Sequence, residues 1–131
     1  MTPHVKILIL NWNRIHLLKP CLDSVITIDY PNFSVMVIDN GSSDGSLEIV
    51  KENYPSVEIF ALNQNYGFSG GYNRCFAKLT DDASEFIMLL NNDTEVDSGI
   101  LNSFIQAKDQ FGDNQIYGGK IYYQGNPEKI W

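Results

Sequence analysis

Asn91-Asn92-Asp93-Thr94-Glu95-Val96-Asp97 follows directly on the unbroken apolar run Phe86-Ile87-Met88-Leu89-Leu90. A carboxylate just past such a run has one common chemical use, which is to hold a divalent metal against the phosphates of a nucleotide. The plain alternative is a loop in which Asp97 or Ser98 caps the next helix. Three more polar clusters stand in the same relation to an apolar run: Asn11-Trp12-Asn13, Asp39 to Asp44, and Asn63 to Gly71. Asp39 can accept a hydrogen bond from a ribose hydroxyl or a base N–H, or it can serve as a turn carboxylate. Asp44 suits a helix cap better than a ligand contact. Asn65-Tyr66-Gly67-Phe68-Ser69-Gly70-Gly71-Tyr72-Asn73-Arg74 sets glycines and backbone N–H groups at a helix start, an arrangement that suits a diphosphate. Its spacing is neither Gly-x-Gly-x-x-Gly nor that of a P-loop, which sets both of those readings aside. Arg74 can reach a phosphate, although a lone helix arginine is more often solvated. Tyr66, Phe68 and Tyr72 can stack on a base or sugar, and core packing is their commoner use.

Other chemistries find no support. His4 and His16 are isolated and have no partner at metal or catalytic spacing. No nucleophile-elbow pattern occurs, so Ser/His/Asp catalysis is set aside. The net charge of −7 and the lack of a basic run argue against nucleic acid or an anionic membrane surface as partner. An acidic protein that takes a phosphorylated ligand needs a metal or backbone N–H groups to do so. Cys21 and Cys75 fall in helical stretches without Cys-x-x-Cys spacing, and read as buried free thiols in a reducing compartment. No apolar run approaches the roughly 18 residues of a membrane span, so no transmembrane segment is expected.

The elements that must hold these clusters follow from the hydrophobic pattern. At 131 residues, 44% hydrophobic, one α/β domain is expected. Strands are predicted at 5–10, 33–38, 57–62 and 86–90, the last of them central and buried on both faces. Leu18, Leu22, Val25 and Ile26 give a helix that starts near Leu17, with Pro20 in its first turn, and stops before Tyr30-Pro31. Ser42, Ser43 and Asp44 are candidate caps of a helix carrying Leu47, Val50 and Tyr54. A polar loop over 63–71 precedes a helix with Tyr72, Cys75, Phe76 and Leu79 facing inward. Ile100, Leu101, Phe104 and Ile105 mark a further helix that stops at Gly112. Short strands are predicted at 116–117 and 120–123, with a turn over 124–127. Strand–helix alternation means a mostly parallel sheet, whose carboxyl ends gather the polar clusters on one edge.

Four pieces in order carry a resemblance: Ile9-Leu10-Asn11-Trp12-Asn13, Val37-Ile38-Asp39-Asn40-Gly41-Ser42-Ser43-Asp44-Gly45-Ser46, Asn65 to Asn73, and Leu89-Leu90-Asn91-Asn92-Asp93. They cover residues 5 to about 123, and the second is the most specific. The chain resembles the inverting family 2 glycosyltransferases of the GT-A fold, in particular their rhamnosyltransferase-like bacterial branch. The resemblance implies a GT-A (Rossmann-like) α/β fold, a mostly parallel sheet flanked by helices. It implies that residues 1–131 are the nucleotide-sugar-binding part of a truncated domain, with the acceptor-binding part absent. Asn11 and Asn13 would then lie beside the nucleotide, with Asp39 on the base. Asn65, Gly67, Gly70, Gly71 and Asn73 would border ribose and diphosphate, with Asn92 beside them. Asp93 would be the surviving carboxylate of the family's Asp-x-Asp motif and would bind Mg²⁺ or Mn²⁺.

The chain departs from that motif in carrying Asn91 at the first aspartate position, and an amide oxygen is a weaker ligand than a carboxylate. Whether Asn91 or Glu95 joins Asp93 is left open, since Asp93 and Glu95 share a side in an extended segment. The partners implied are a UDP- or dTDP-sugar and a glycan or lipid-linked acceptor. The implied location is the cytoplasm, with the inner face of the membrane open to the full-length protein. Inverting transfer needs a base for the acceptor hydroxyl. That base is expected beyond Trp131, so the fragment would bind donor without full activity. Three other readings stand beside this one: a sugar-nucleotide pyrophosphorylase, a receiver-like signalling domain and a non-catalytic nucleotide-binding module. The first lacks its glycine- and arginine-rich loop after strand one. The second lacks paired acids there and an aspartate after strand three.

Overall fold

The structure, a computed structural model, describes residues 2–131. The elements run β1 (Val5–Asn11), α1 (Ile15–Val25), β2 (Phe33–Asp39), α2 (Ser46–Asn53), β3 (Glu58–Ala61), α3 (Gly67–Phe76), β4 (Phe86–Asn91), α4 (Ile100–Phe111), β5 (Tyr122–Tyr123) and β6 (Asn126–Ile130). β1 to β4 form one parallel sheet in the order β3-β2-β1-β4, and β5 and β6 form a separate antiparallel pair. The expected α/β architecture is therefore present.

Alternation along β1 sorts the core into two layers, because successive side chains point to opposite faces. Val5, Ile7 and Ile9 face α1, α2 and α4 and pack with Leu18, Leu22, Val25, Val50 and Leu101. Leu8 faces α3 and packs with Ile38, Tyr72 and Cys75. Ile7, Leu8 and Ile9 are fully buried, and each such side chain contributes about 1.5–3 kcal/mol. Lys6 interrupts this run. It is 5% exposed, and its Nζ lies 2.7 Å from Asp82 and 3.2 Å from Glu58, which makes its charge tolerable.

Several expectations need correction. β4 is not central: among the described residues it is an edge of the sheet, and β1 and β2 are the inner strands. Its apolar run is buried on one face only. Leu90 packs into the larger core, whereas Ile87 and Leu89, on the opposite face of the strand, are about half exposed, with α3 lying chiefly over β1 and β2. α1 begins at Ile15, so Pro20 lies beyond its first turn. The early start has a distant cause, since Asp44 Oδ2 accepts the Ile15 N–H at 3.2 Å. α3 begins at Gly67, so the predicted loop is shorter and Gly67, Gly70 and Gly71 are helical. Residues 116–117 form no strand, and the predicted turn is present at 124–125, with β6 beginning at Asn126.

Candidate functional site

All four parallel strands deliver their carboxyl ends to one edge. Asn11 and Asp39 are register partners there, and Asn91 is level with Leu10. The edge thus gathers the 11–13, 39–44 and 91–95 clusters, and the chain leaving β3 joins them where the Leu62 N–H donates to Asp39 O at 2.8 Å.

The loops are joined to one another by side chains. Asn11, 1% exposed, donates from Nδ2 to Ser42 Oγ at 3.4 Å and accepts at Oδ1 from Asn92 Nδ2 at 2.9 Å. Asn13 has φ +51°. Its N–H donates to Ser42 Oγ at 3.0 Å, and its Oδ1 accepts the Ser43 N–H at 2.7 Å. These two asparagines thus fix the loop after β2. Asp44 behaves as a cap, accepting N–H groups at the start of both α1 and α2 and the Ser46 hydroxyl. Burial works against its charge, and the hydrogen bonds from Ser46 and Ile15 outweigh it, holding the carboxyl below its usual range.

Asp39 is 4% exposed. Its Oδ2 accepts the Ser42 N–H at 3.0 Å, the turn contact expected of an aspartate here. Its Oδ1 is buried without a donor. A buried acceptor left unpaired costs about 1–3 kcal/mol, and no partner within the chain offsets that cost here. Asp39 also lines a narrow gap beside Leu18, Val37, Ser46 and Val50.

At the start of α3, Asn65 Oδ1 accepts the Gly67 N–H at 2.7 Å. Gly70 and Gly71 serve packing. A Cβ on Gly70 would lie 3.0 Å from Tyr66 Cβ, and one on Gly71 would lie 2.6 Å from Leu10 Cδ1. Arg74 stacks on the Tyr66 ring, 3.4 Å from its centroid. Asn73 is exposed farther along α3, with no side-chain hydrogen bond to the strand ends. Tyr72 is core: its hydroxyl donates to Leu90 O at 3.3 Å, and burial pushes it up to about 12. Phe68 is exposed.

Asp93 is exposed in the turn after β4. α1 braces this loop from below: the Cys21 thiol donates to Asn91 O at 3.6 Å, and the Val96 N–H donates to Ser24 Oγ at 3.0 Å. Both cysteines are free and buried, and burial raises Cys21 to about 12, which leaves it an inert packing thiol. Glu95 accepts from Gln124 Nε2 at 3.1 Å, and Asp97 accepts the Gly99 N–H at 2.8 Å. Among the described residues no group of three or more His, Cys, Asp or Glu side chains could hold a metal ion. The donor set fits an ion that takes its remaining oxygens from a diphosphate and water, not one caged by protein. Asn40 is the residue that sequence reasoning passed over as part of a turn. Its buried amide makes three hydrogen bonds to the α3 entry, and all of its partners lie 25 or more positions away.

Comparison with known proteins agrees with this geometry. A family model described as Glycosyl transferase family 2 matches residues 6–131. The chain is 29% identical over 133 residues to a GalNAc(5)-diNAcBac-PP-undecaprenol beta-1,3-glucosyltransferase of Campylobacter jejuni, covering 97% of this chain and 41% of that protein. It is 29% identical over 82 residues to an N-acetylglucosaminyl-diphospho-decaprenol L-rhamnosyltransferase of Mycobacterium tuberculosis, covering 56% of this chain and 27% of the other. Among solved structures, S. aureus TarS in complex with UDP-GlcNAc superimposes with a TM-score of 0.70 at 19% identity, over 91% of this chain and 38% of that one. The mannosyltransferase PcManGT from Pyrobaculum calidifontis, in complex with GDP-Man and Mn²⁺, gives 0.67 at 20% identity, over 82% and 33%. The chain spans less than half the length of each of these proteins. Its fold is the GT-A fold. No helix among the described residues is long and apolar enough to cross a membrane. With a match that runs over nearly its whole length, the chain belongs to glycosyl transferase family 2.

Proposed function

We propose that this chain binds a nucleoside diphosphate sugar, UDP- or dTDP-linked, along the carboxyl edge of its sheet, as the donor half of an inverting glycosyltransferase. The observation that carries the reading is Asp39: a buried carboxylate oxygen without a donor, on the strand edge, beside Asn11. A base N–H would satisfy it with a charge-assisted hydrogen bond. The Phe68 and Ser69 N–H groups, next along α3 after Gly67, are those that remain for a phosphate oxygen. Asn65 keeps its Nδ2 for the ribose or diphosphate.

In the transfer, a bond forms between the acceptor oxygen and the anomeric carbon while the bond from that carbon to the diphosphate breaks with its electron pair. The acceptor proton passes to a base. Glu95 and Asp97, the acids nearest Asp93 in sequence, already accept hydrogen bonds from Gln124 and Gly99, so no base is assigned within these residues. Asp93 would hold Mg²⁺ or Mn²⁺ together with the donor's phosphates, and such an ion neutralises the departing diphosphate. The acceptor is a glycan or a lipid-linked sugar. Two relatives are named for transfer to diphospholipid-linked sugars, which supports a role in polysaccharide biosynthesis at the cytoplasmic face of the membrane as the reading for the full-length protein.

A calorimetric panel of UDP, dTDP and GDP tests the reading. UDP or dTDP should bind this chain in preference to GDP, and no binding by either would sink it. Binding without transfer by a longer chain would favour a non-catalytic module.

A further inference from the structure

Asn40 is 2% exposed at the end of β2. Its side chain spends every group it has on the entry to α3. Nδ2 donates to Asn65 Oδ1 at 2.9 Å and to Gly67 O at 3.1 Å, and Oδ1 accepts the Tyr66 N–H at 3.0 Å. Its own N–H donates to Asn11 O at 2.8 Å, so the same residue is pinned to the end of β1. The neighbouring backbone leaves no slack, since a Cβ on Gly41 would lie 2.6 Å from Gln64 Cα. Asn65 Oδ1 is shared between Asn40 and the Gly67 N–H.

The first N–H groups of a helix are its natural anion donors. Here those of Tyr66 and Gly67 are already taken, one by Asn40 and one by an Asn65 that Asn40 orients. From this we infer that Asn40 is a positioning residue for the donor diphosphate. It touches no ligand. It caps α3 from beneath and leaves the Phe68 and Ser69 N–H groups and Asn65 Nδ2 as the donors presented at the strand edge. A methyl at this position removes all three bonds, and a carboxylate keeps only the acceptor for the Tyr66 N–H and loses both donated bonds. This rests on the nucleotide reading above.

The test is titration calorimetry of the chain with UDP, dTDP and GDP and with their monophosphates, followed by Asn40→Ala and the isosteric Asn40→Asp. For the nucleotide that binds, both variants should lose about tenfold in diphosphate affinity. Monophosphate affinity should change less than about twofold, because base contacts at Asp39 are untouched. Equal losses for both ligands, or none for either, overturn the inference while leaving nucleotide binding intact. Absence of binding by the unsubstituted chain overturns both. Hydrogen exchange on that same chain covers the case in which neither variant folds. Tyr66 and Gly67 amides should be protected without ligand, and Phe68 and Ser69 should gain protection only with the diphosphate. Fast exchange at Tyr66 and Gly67 in the free protein overturns the cap.

Discussion

Asn92 donates its side-chain amide to Asn11 Oδ1 across 2.9 Å, tying the turn after β4 to the end of β1. Asn11 is 1% exposed and also donates to Ser42 Oγ, so one buried amide serves the loops after three strands. Asn11→Ala should cost about 1–2 kcal/mol, because it strands two polar partners at once. Asn92→Ala should cost less, since Asn92 is only half-buried and water replaces its contact. Urea unfolding of the two variants checks the order, and an Asn92 effect equal to that of Asn11 would count against it.

Asp39→Ala should weaken nucleotide binding by about 1–3 kcal/mol, the loss expected for a charge-assisted hydrogen bond. The substitution also frees the Ser42 N–H, which the neighbouring solvent can take up. Titration calorimetry on both proteins decides. Unchanged affinity reduces Asp39 to a turn residue.

Much of this site was legible because it is local. An apolar run followed by an amide or acid marks a strand end, and parallel strands then bring such ends together, as Asn11 and Asp39 show. What escaped is what depends on partners far along the chain. Lys6 looks like an error inside a strand until Glu58 and Asp82 are folded around it. Asn40 looks like a turn residue until Asn65, Tyr66 and Gly67 are brought against it. Phe86 to Leu90 misled for a different reason: periodicity reports which residues are apolar, not whether a second layer covers them. Here Ile87 and Leu89 have no such cover among the described residues. The glycines at 67, 70 and 71 read as loop, whereas Gly71 lets the helix approach Leu10 and Gly70 leaves room for the Tyr66 side chain at the helix's own start.

Gly41 and Gly45 offer a matched pair. Both have positive φ, +74° and +82°. A Cβ on Gly41 would meet three Gln64 backbone atoms at 2.6–2.9 Å, whereas one on Gly45 meets nothing within 4 Å. Gly45→Ala should cost about 1–2 kcal/mol for the backbone conformation alone. Gly41→Ala should cost about 3 kcal/mol or more, because backbone cannot rotate away as a side chain can. Thermal unfolding of the two variants measures the difference, and equal costs would mean that the Gln64 contact relaxes freely.

The Lys6–Asp82 pair sets a pH dependence at the opposite end of the sheet. Hydrogen bonds from Lys6 and Ser84 hold the Asp82 carboxyl down to about 2, from an ordinary 3.8. A depressed carboxyl contributes stability above its ordinary value and loses it as pH falls toward the folded value. Lys6 moves the other way. Burial alone lowers it, but its bonds to Asp82 and Glu58 raise it overall, so its contribution fades only as pH climbs past its ordinary 10.5. Asp82→Asn should therefore cost about 1–2 kcal/mol at neutral pH. That cost should shrink between about pH 4 and about pH 2. Urea unfolding across this range checks it, and a cost that persists undiminished at low pH would assign the effect to packing.

Metal and nucleotide should bind this chain together. Asp93 is a single exposed carboxylate, Glu95 is engaged by Gln124, and no protein cage exists among the described residues. Mg²⁺ binds such places through one or two carboxylates plus substrate phosphates. Metal alone should then leave the melting temperature almost unchanged. A nucleoside diphosphate alone should raise it, and metal with the diphosphate should raise it further. Mass action gives about 2.7 kcal/mol at a hundredfold excess over Kd. Asp93→Asn should remove the metal-dependent increment and keep most of the metal-free one, because Asp39 and the α3 entry lie outside the loop after β4. Glu95→Gln separates the two candidate carboxylates: it should leave the increment in place if Asp93 is the ligand that matters. Tight metal binding without nucleotide would mean a ligand set drawn from side chains that now point elsewhere. An increment that survives Asp93→Asn but not Glu95→Gln would move the ion two residues along the loop, and Gln124 would then be the residue that has to let go.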